Sequence, residues 1–167
     1  MDPSDSQALK SLLERRPIAA LATLHKGEPA VSMVPFAIVP GSATFVIHVS
    51  RLATHTKDML ANPAVALLVT EEVESSDSTL ALPRASVQGR ARRCAPEAPE
   101  YALARAAYLA KLPQAEGLFS FSDFSIFLIE PSSVRYVAGS EGPVGHGGST
   151  RGHPGGRRPP ASSRRQH

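Results

Sequence analysis

The chain has 167 residues, 42% of them hydrophobic, which suffices for one cored domain, and a formal charge of +3. No apolar run reaches the roughly 18 residues of a membrane span. Residues 1–16 carry Asp2, Asp5 and Glu14 instead of a signal's apolar stretch, and the lone Cys94 excludes an internal disulfide, so a reducing cytoplasm is the expected home.

The basicity is confined to one end. Residues 1–139 hold 13 Lys and Arg against 14 Asp and Glu, whereas residues 140–167 hold five Arg and one Glu. The last stretch is rich in Gly, Pro and Arg and has no Leu, Ile, Phe, Tyr or Met, too little apolar surface to offset ordering entropy. The expected organisation is a domain over residues 1–139 and a disordered basic tail over 140–167. Arg151, Arg157, Arg158, Arg164 and Arg165 lack interleaved aromatics, so they offer only salt-sensitive, unspecific contacts to nucleic acid.

Along the body, Leu9, Leu12 and Leu13 stand at i, i+3, i+4 and predict a helix over 5–16, ended by Pro17. Residues 18–25 and 30–39 predict a hairpin around the Lys26-Gly27 turn. Pro40-Gly41-Ser42 is the next turn, and 43–49 a third strand. Ser50 reads as the N-cap of a helix starting at Arg51 and stopped by Asn62-Pro63, with Leu52, Met59 and Leu60 facing the core. A Val- and Leu-rich strand spans 65–70, then a polar loop carries Glu71, Glu72 and Glu74, most simply a solvated one. Residues 84–92 alternate as a half-buried strand. An Ala-rich helix spans 96–112 with Tyr101, Ala104, Tyr108 and Leu112 on one face, and a last strand spans 125–137, bent or bulged at Glu130-Pro131-Ser132. Short strands with inserted helices predict an antiparallel barrel of about six strands.

The chemistry concentrates at residues 45–62. Ser50, Arg51 and, four residues on, His55 would surround the start of a helix, where unpaired N–H groups and the macrodipole favour an anion such as a phosphate monoester. His25 and His48 read as strand histidines. No CxxC, HExxH, GxGxxG or nucleophile-elbow motif is present, and no acid–base dyad is evident.

The ordered set of stretches at 20–36, 50–63 (SRLATHTKDMLANP), 65–69 (VALLV), 82–92 (LPRASVQGRAR), 108–113 (YLAKLP) and 121–139 resembles the FMN-binding split-barrel family, the pyridoxamine-phosphate-oxidase-like proteins, and within it the haem-utilisation branch. The resemblance implies an antiparallel Greek-key split β-barrel with peripheral helices. It also implies a homodimer with flavin at the interface and an FMN-dependent oxidoreductase acting on a small molecule, the cofactor carrying the redox chemistry.

Residue by residue, it places Ser50 and Arg51 on the FMN phosphate and His55 and Thr56 near the phosphate and ribityl chain. The backbone of Met33, Val34 and Pro35 falls along the isoalloxazine ring, and Arg84 where a polar side chain meets the flavin. Leu52 stands where those oxidases usually carry a lysine, and His55 or Lys57 is the candidate replacement. No residue excludes a deazaflavin. The alternative that the branch implies is a haem-binding or haem-utilisation protein; such proteins draw a ligand from a C-terminal histidine segment, and His146, His153 and His167 lie in no matching context. After Gly139 the likeness stops so abruptly that a shifted reading frame is a plain explanation of the tail, and the chain has no Trp.

Overall fold

The computed structural model describes residues 1–74 and 79–139, so the predicted tail lies outside the described residues. Helix α1 runs over Pro3–Arg15, two residues earlier than the leucine spacing indicates. Asp2 caps it through Ser4 N, and Pro3 at the first helical position needs no amide partner. Strands β1 (Ile18–His25) and β2 (Glu28–Pro35) form the predicted hairpin, turned by Lys26 and Gly27, both at positive φ.

The predicted single strand over 30–39 is two strands. β2 ends at Pro35 and β3 occupies Ala37–Ile38, with the wholly buried Phe36 between them, its N–H bonded to Pro17 O at 3.1 Å. β4 (Phe45–Ser50), helix α2 (Thr54–Ala61), β5 (Ala64–Thr70), β6 (Arg84–Cys94), helix α3 (Tyr101–Lys111) and β7 (Phe124–Val137) complete the set. All seven strands form one antiparallel sheet in the order β2-β1-β5-β6-β7-β4-β3. Its two outermost strands are therefore consecutive in the chain and joined by one residue. Only a sheet curled nearly shut can do that, and the gap left between β2 and β4 is the split of a split barrel. The predicted bend in β7 is a bulge: Gly89 faces Pro131 and Gln88 faces Ser133, leaving Ser132 as the extra residue.

Two cores follow from the alternation. Leu21, Val34, Phe36, Phe45, Ile47, Leu67, Val87, Phe127 and Ile129 fill the barrel, closed by Leu12 and Leu13 of α1 and Met59 of α2. Val46, Ile126 and Leu128 point outward and are covered by Ala104, Tyr108 and Leu112, so β4 and β7 are apolar on both faces because both are buried. Among the described residues, the outer face of β1, β2 and β5 has no such cover. Ile18, Val31, Met33 and Leu68 are exposed there, Val31 by 75% and Met33 by 59%.

Lys111 ties α3 to α1. Its Nζ donates to Leu13 O at 2.9 Å and lies 3.7 Å from the Phe36 ring centroid, and burial pulls its pKa down to about 8, Glu14 acting the other way. The acidic loop is not simply solvated, because Glu71 and Glu72 pair with Arg15 and Arg16 at the end of α1. No helix among the described residues is long and apolar enough to cross a membrane.

Candidate functional site

The stretch after β4 departs from its reading. α2 begins at Thr54, not Arg51, and Ala53 occupies the cap with no side-chain bond. Ser50 is drawn elsewhere: its Oγ donates to Asp123 Oδ2 at 2.7 Å and accepts from Leu52 N at 3.1 Å, while Arg51 N donates to Asp123 O at 2.6 Å. Residues 50–53 are thus a turn pinned to the start of β7. Leu52 and Leu60 are exposed by 77% and 59%, and Met59 alone of the three faces the core. Arg51, outside the helix, projects into solvent and makes no ion pair or side-chain hydrogen bond among the described residues.

The first turn of α2 sits in the split. Thr56, wholly buried, donates through Oγ1 to Ser50 O of β4 at 2.6 Å. His55 Nδ1 lies 3.0 Å from Ser32 Oγ of β2. One helical turn therefore bridges the two sides of the gap and brings together the end of β4, Arg51, His55, Thr56 and the β2 segment at residues 32–35. β2 is the last strand of the sheet on this side, so among the described residues one of its backbone edges has no strand partner. Met33 and Pro35 point outward, and Val34 is buried at 2%, leaving only its backbone for a ligand.

Arg84 is not part of this corner. It opens β6, opposite Thr70 of β5 and Val137 of β7, and its Nη1 donates to Leu82 O at 3.1 Å. It shares the outward sheet face with Pro35, but β5 and β1 lie between their two strands.

The electrostatics of the corner centre on α2. Burial pulls the His55 pKa down and the Asp58 charge pulls it up, with burial the stronger. Asp58, one turn further on, is buried; its Oδ2 accepts from Thr23 Oγ1 at 3.0 Å and its Oδ1 lies 2.7 Å from His25 Nδ1. Burial raises the Asp58 carboxyl, but these two bonds together hold it below the usual carboxylate range. Ser32, Thr23, Asp58 and Asp123 were not singled out in the sequence. The inward parity of Thr23 and Ser32 and the i, i+3 spacing of His55 and Asp58 were signals for three of them, whereas Asp123 lies 73 residues from Ser50 and had none.

His48 is a strand histidine, as read. It lies under α3, stacked on Phe119 with ring centroids 3.8 Å apart, and its Nδ1 has no partner among the described residues. Burial, helped by Arg105, lowers its pKa to about 4. The folded state therefore favours neutral His48, whose contribution is full above pH 6.5 and is lost as pH falls toward 4. A shift of that size is worth up to about 3 kcal/mol. The melting temperature of wild type should fall more steeply between pH 6.5 and 4 than that of His48→Phe, and equal acid slopes would refute the assignment.

A groove of about 940 Å³ between α1, α3 and the β3–β4 turn is lined largely by apolar side chains, and Lys111 within it is already committed to Leu13 and Phe36. No group of three or more His, Cys, Asp or Glu is placed to hold a metal among the described residues.

The chloroplastic non-canonical haem oxygenase HOZ of Arabidopsis thaliana is 38% identical over 122 residues, which are 73% of this chain but 36% of that protein, so the chain spans about a third of that relative's length. A haem-binding protein from Mycobacterium smegmatis superposes with a TM-score of 0.73 at 29% identity, over 83% of this chain and 56% of that one. A FAD-binding protein from Mesorhizobium loti, at 20% identity and a TM-score of 0.62 over 77% and 89% of the two chains, shares the fold. Residues 6–138 match the family model described as pyridoxamine 5'-phosphate oxidase, almost the whole of the described barrel, and the chain belongs to that family.

Proposed function

We propose that this protein binds haem at the corner formed by β2, the turn after β4 and the start of α2. The observation that carries the reading is His55. A histidine that ligates iron must be neutral, with one ring nitrogen anchored and the other open. Burial favours the neutral ring, and Ser32 Oγ stands at Nδ1. With Nδ1 protonated and donating to Ser32, Nε2 presents its lone pair, and it has no partner among the described residues. Arg51, unpaired among the described residues, supplies a cation for a carboxylate. The two relatives described above as haem proteins, at 38% and 29% identity, support the same choice. Bound haem would supply iron-centred redox chemistry; the chain's own residues would fix the ring edge, pair its acid groups and shape the split.

FMN is the second reading, favoured by Arg51 and the first-turn amides of α2, which suit a phosphate. It has fewer contacts here than its motif promised. Ser50 Oγ is committed to Asp123, whose carboxylate repels an anion, and Leu52 brings no charge. Under this reading the protein is an FMN-dependent oxidoreductase of a small molecule. Titrating the full chain separately with hemin and with FMN decides between them. A Soret shift with hemin and unquenched FMN fluorescence is expected, and the reverse pattern would transfer the site to flavin.

A second copy of the chain is the proposed cover for the outer face of β1, β2 and β5, whose exposed Ile18, Val31, Met33 and Leu68 form a contiguous apolar surface. Sedimentation should give a dimer, and Val31→Glu with Leu68→Glu should give a folded monomer, because both side chains are exposed within one protomer. A monomeric wild type would contradict the pairing.

A further inference from the structure

We propose that Asp58 is a positioning residue, seating α2 on the β1–β2 hairpin through Thr23 and His25 and thereby fixing the orientation of His55. The proposal rests on the reading of His55 as the ligand-facing group.

The helix has little else to hold it. It is eight residues long, below the length at which helices persist alone, and it lacks a side-chain N-cap bond. Met59 is its only large apolar side chain in the core, while Leu60 faces solvent. Its attachments are polar: Thr56 to Ser50 O, His55 to Ser32, and Asp58 to Thr23 and His25.

The Asp58 attachment differs from the others in using both carboxylate oxygens. Thr23 and His25 lie two apart on β1 and so point to the same face of the strand. One carboxylate spanning them fixes both where α2 lies along the strand and how it is rolled. His55, one turn earlier, meets β2 at Ser32, which pairs with Leu21 in the register where Thr23 pairs with Ala30. The helix therefore crosses the hairpin with one anchor on each strand. Remove the β1 anchor and the polar bonds that remain, from His55 and Thr56, both lie in the first turn of α2, so the roll of the helix is released and the His55 ring loses its fixed tautomer and direction. His25 is the adjustable part of the seat, since Nδ1 is engaged while the side chain remains 44% exposed.

Two readouts separate this from a merely structural carboxylate. In the ligand-free full chain, nitrogen chemical shifts of the His55 ring report its tautomer. Wild type should give a single tautomer protonated at Nδ1, and Asp58→Ala and His25→Ala should give a mixture, with amide exchange at residues 54–57 accelerated at least tenfold and the barrel strands unchanged. His25→Asn, whose side-chain amide nitrogen stands where Nδ1 does and can still donate to Asp58, should restore the single tautomer. Should Asp58→Ala fail to fold, His25→Ala and His25→Asn carry the test. In hemin titrations the variants that mix tautomers should bind at least tenfold more weakly, and His25→Asn within about threefold of wild type. An unchanged His55 ring pattern, or unchanged hemin affinity despite faster exchange, overturns the proposal. If wild type gives no Soret band, the haem reading falls instead, and the ring pattern alone decides whether Asp58 positions His55.

Discussion

His55→Ala should remove the Soret signature of added hemin, weakening binding by at least about 100-fold, while leaving the fold intact. The expected size follows from what is lost. Removing an outer partner of a metal-binding histidine typically costs 10–100-fold, and removing the ligand itself costs more. Ser32→Ala therefore belongs to the smaller class, with roughly tenfold weaker binding, because the ring remains but its tautomer is no longer held. The fold should tolerate both, since neither residue belongs to the apolar core and Thr56 still ties α2 to β4. Absorbance titrations alongside thermal melts separate the two effects. Retained hemin affinity in His55→Ala would move the ligand elsewhere in the chain.

Gly89→Ala should be the most damaging single change in the barrel wall. Gly89 sits at the β6–β7 bulge, and a methyl group built on it would lie 2.6 Å from Glu130 O and 3.1 Å from Ile129 Cγ2. The first neighbour is backbone and the second is a buried core side chain, so neither can swing away. The strands must part where their pairing is already irregular. Overpacking of this kind costs about 3 kcal/mol, which for a domain of this size lowers the melting temperature by roughly 10 °C. Circular dichroism melts of the two proteins test it, and a shift below about 2 °C would mean that the bulge absorbs the methyl without separating the strands. Gly27, in the β1–β2 turn, has open space around its missing side chain, and its requirement is the positive φ of 82°.

Most of the barrel was legible because its strands carry the signal that packing needs. β5, β6 and β7 and the buried face of α3 were readable from the alternation of Ala85, Val87 and Gly89 and from Ala104, Tyr108 and Leu112, since those side chains meet a core on the expected side. The division of β2 from β3 was not legible. Phe36 looks like any strand residue until the sheet closes and the chain must step from one edge to the other.

The start of α2 failed for a related reason. Ser50 followed by good helix formers is a sound cap pattern, but an aspartate 73 residues away takes its hydroxyl and holds the next turn out of the helix. Local preference yielded to a tertiary contact that no spacing announces. The stretch expected to hold a cofactor therefore has a different local bonding from the one its sequence suggests. His55 and Thr56 do face the split, Ser50 is spent on structure, and Arg84 lies on another part of the sheet.

Amide hydrogen exchange of the full chain with and without hemin tests the site most directly. Binding at the split should slow exchange at residues 32–35 and 51–57 and leave the central strands β6 and β7 as they were. Slowed exchange confined to other segments, with residues 51–57 unaffected at saturating hemin, would contradict the assignment of this corner as the cofactor site.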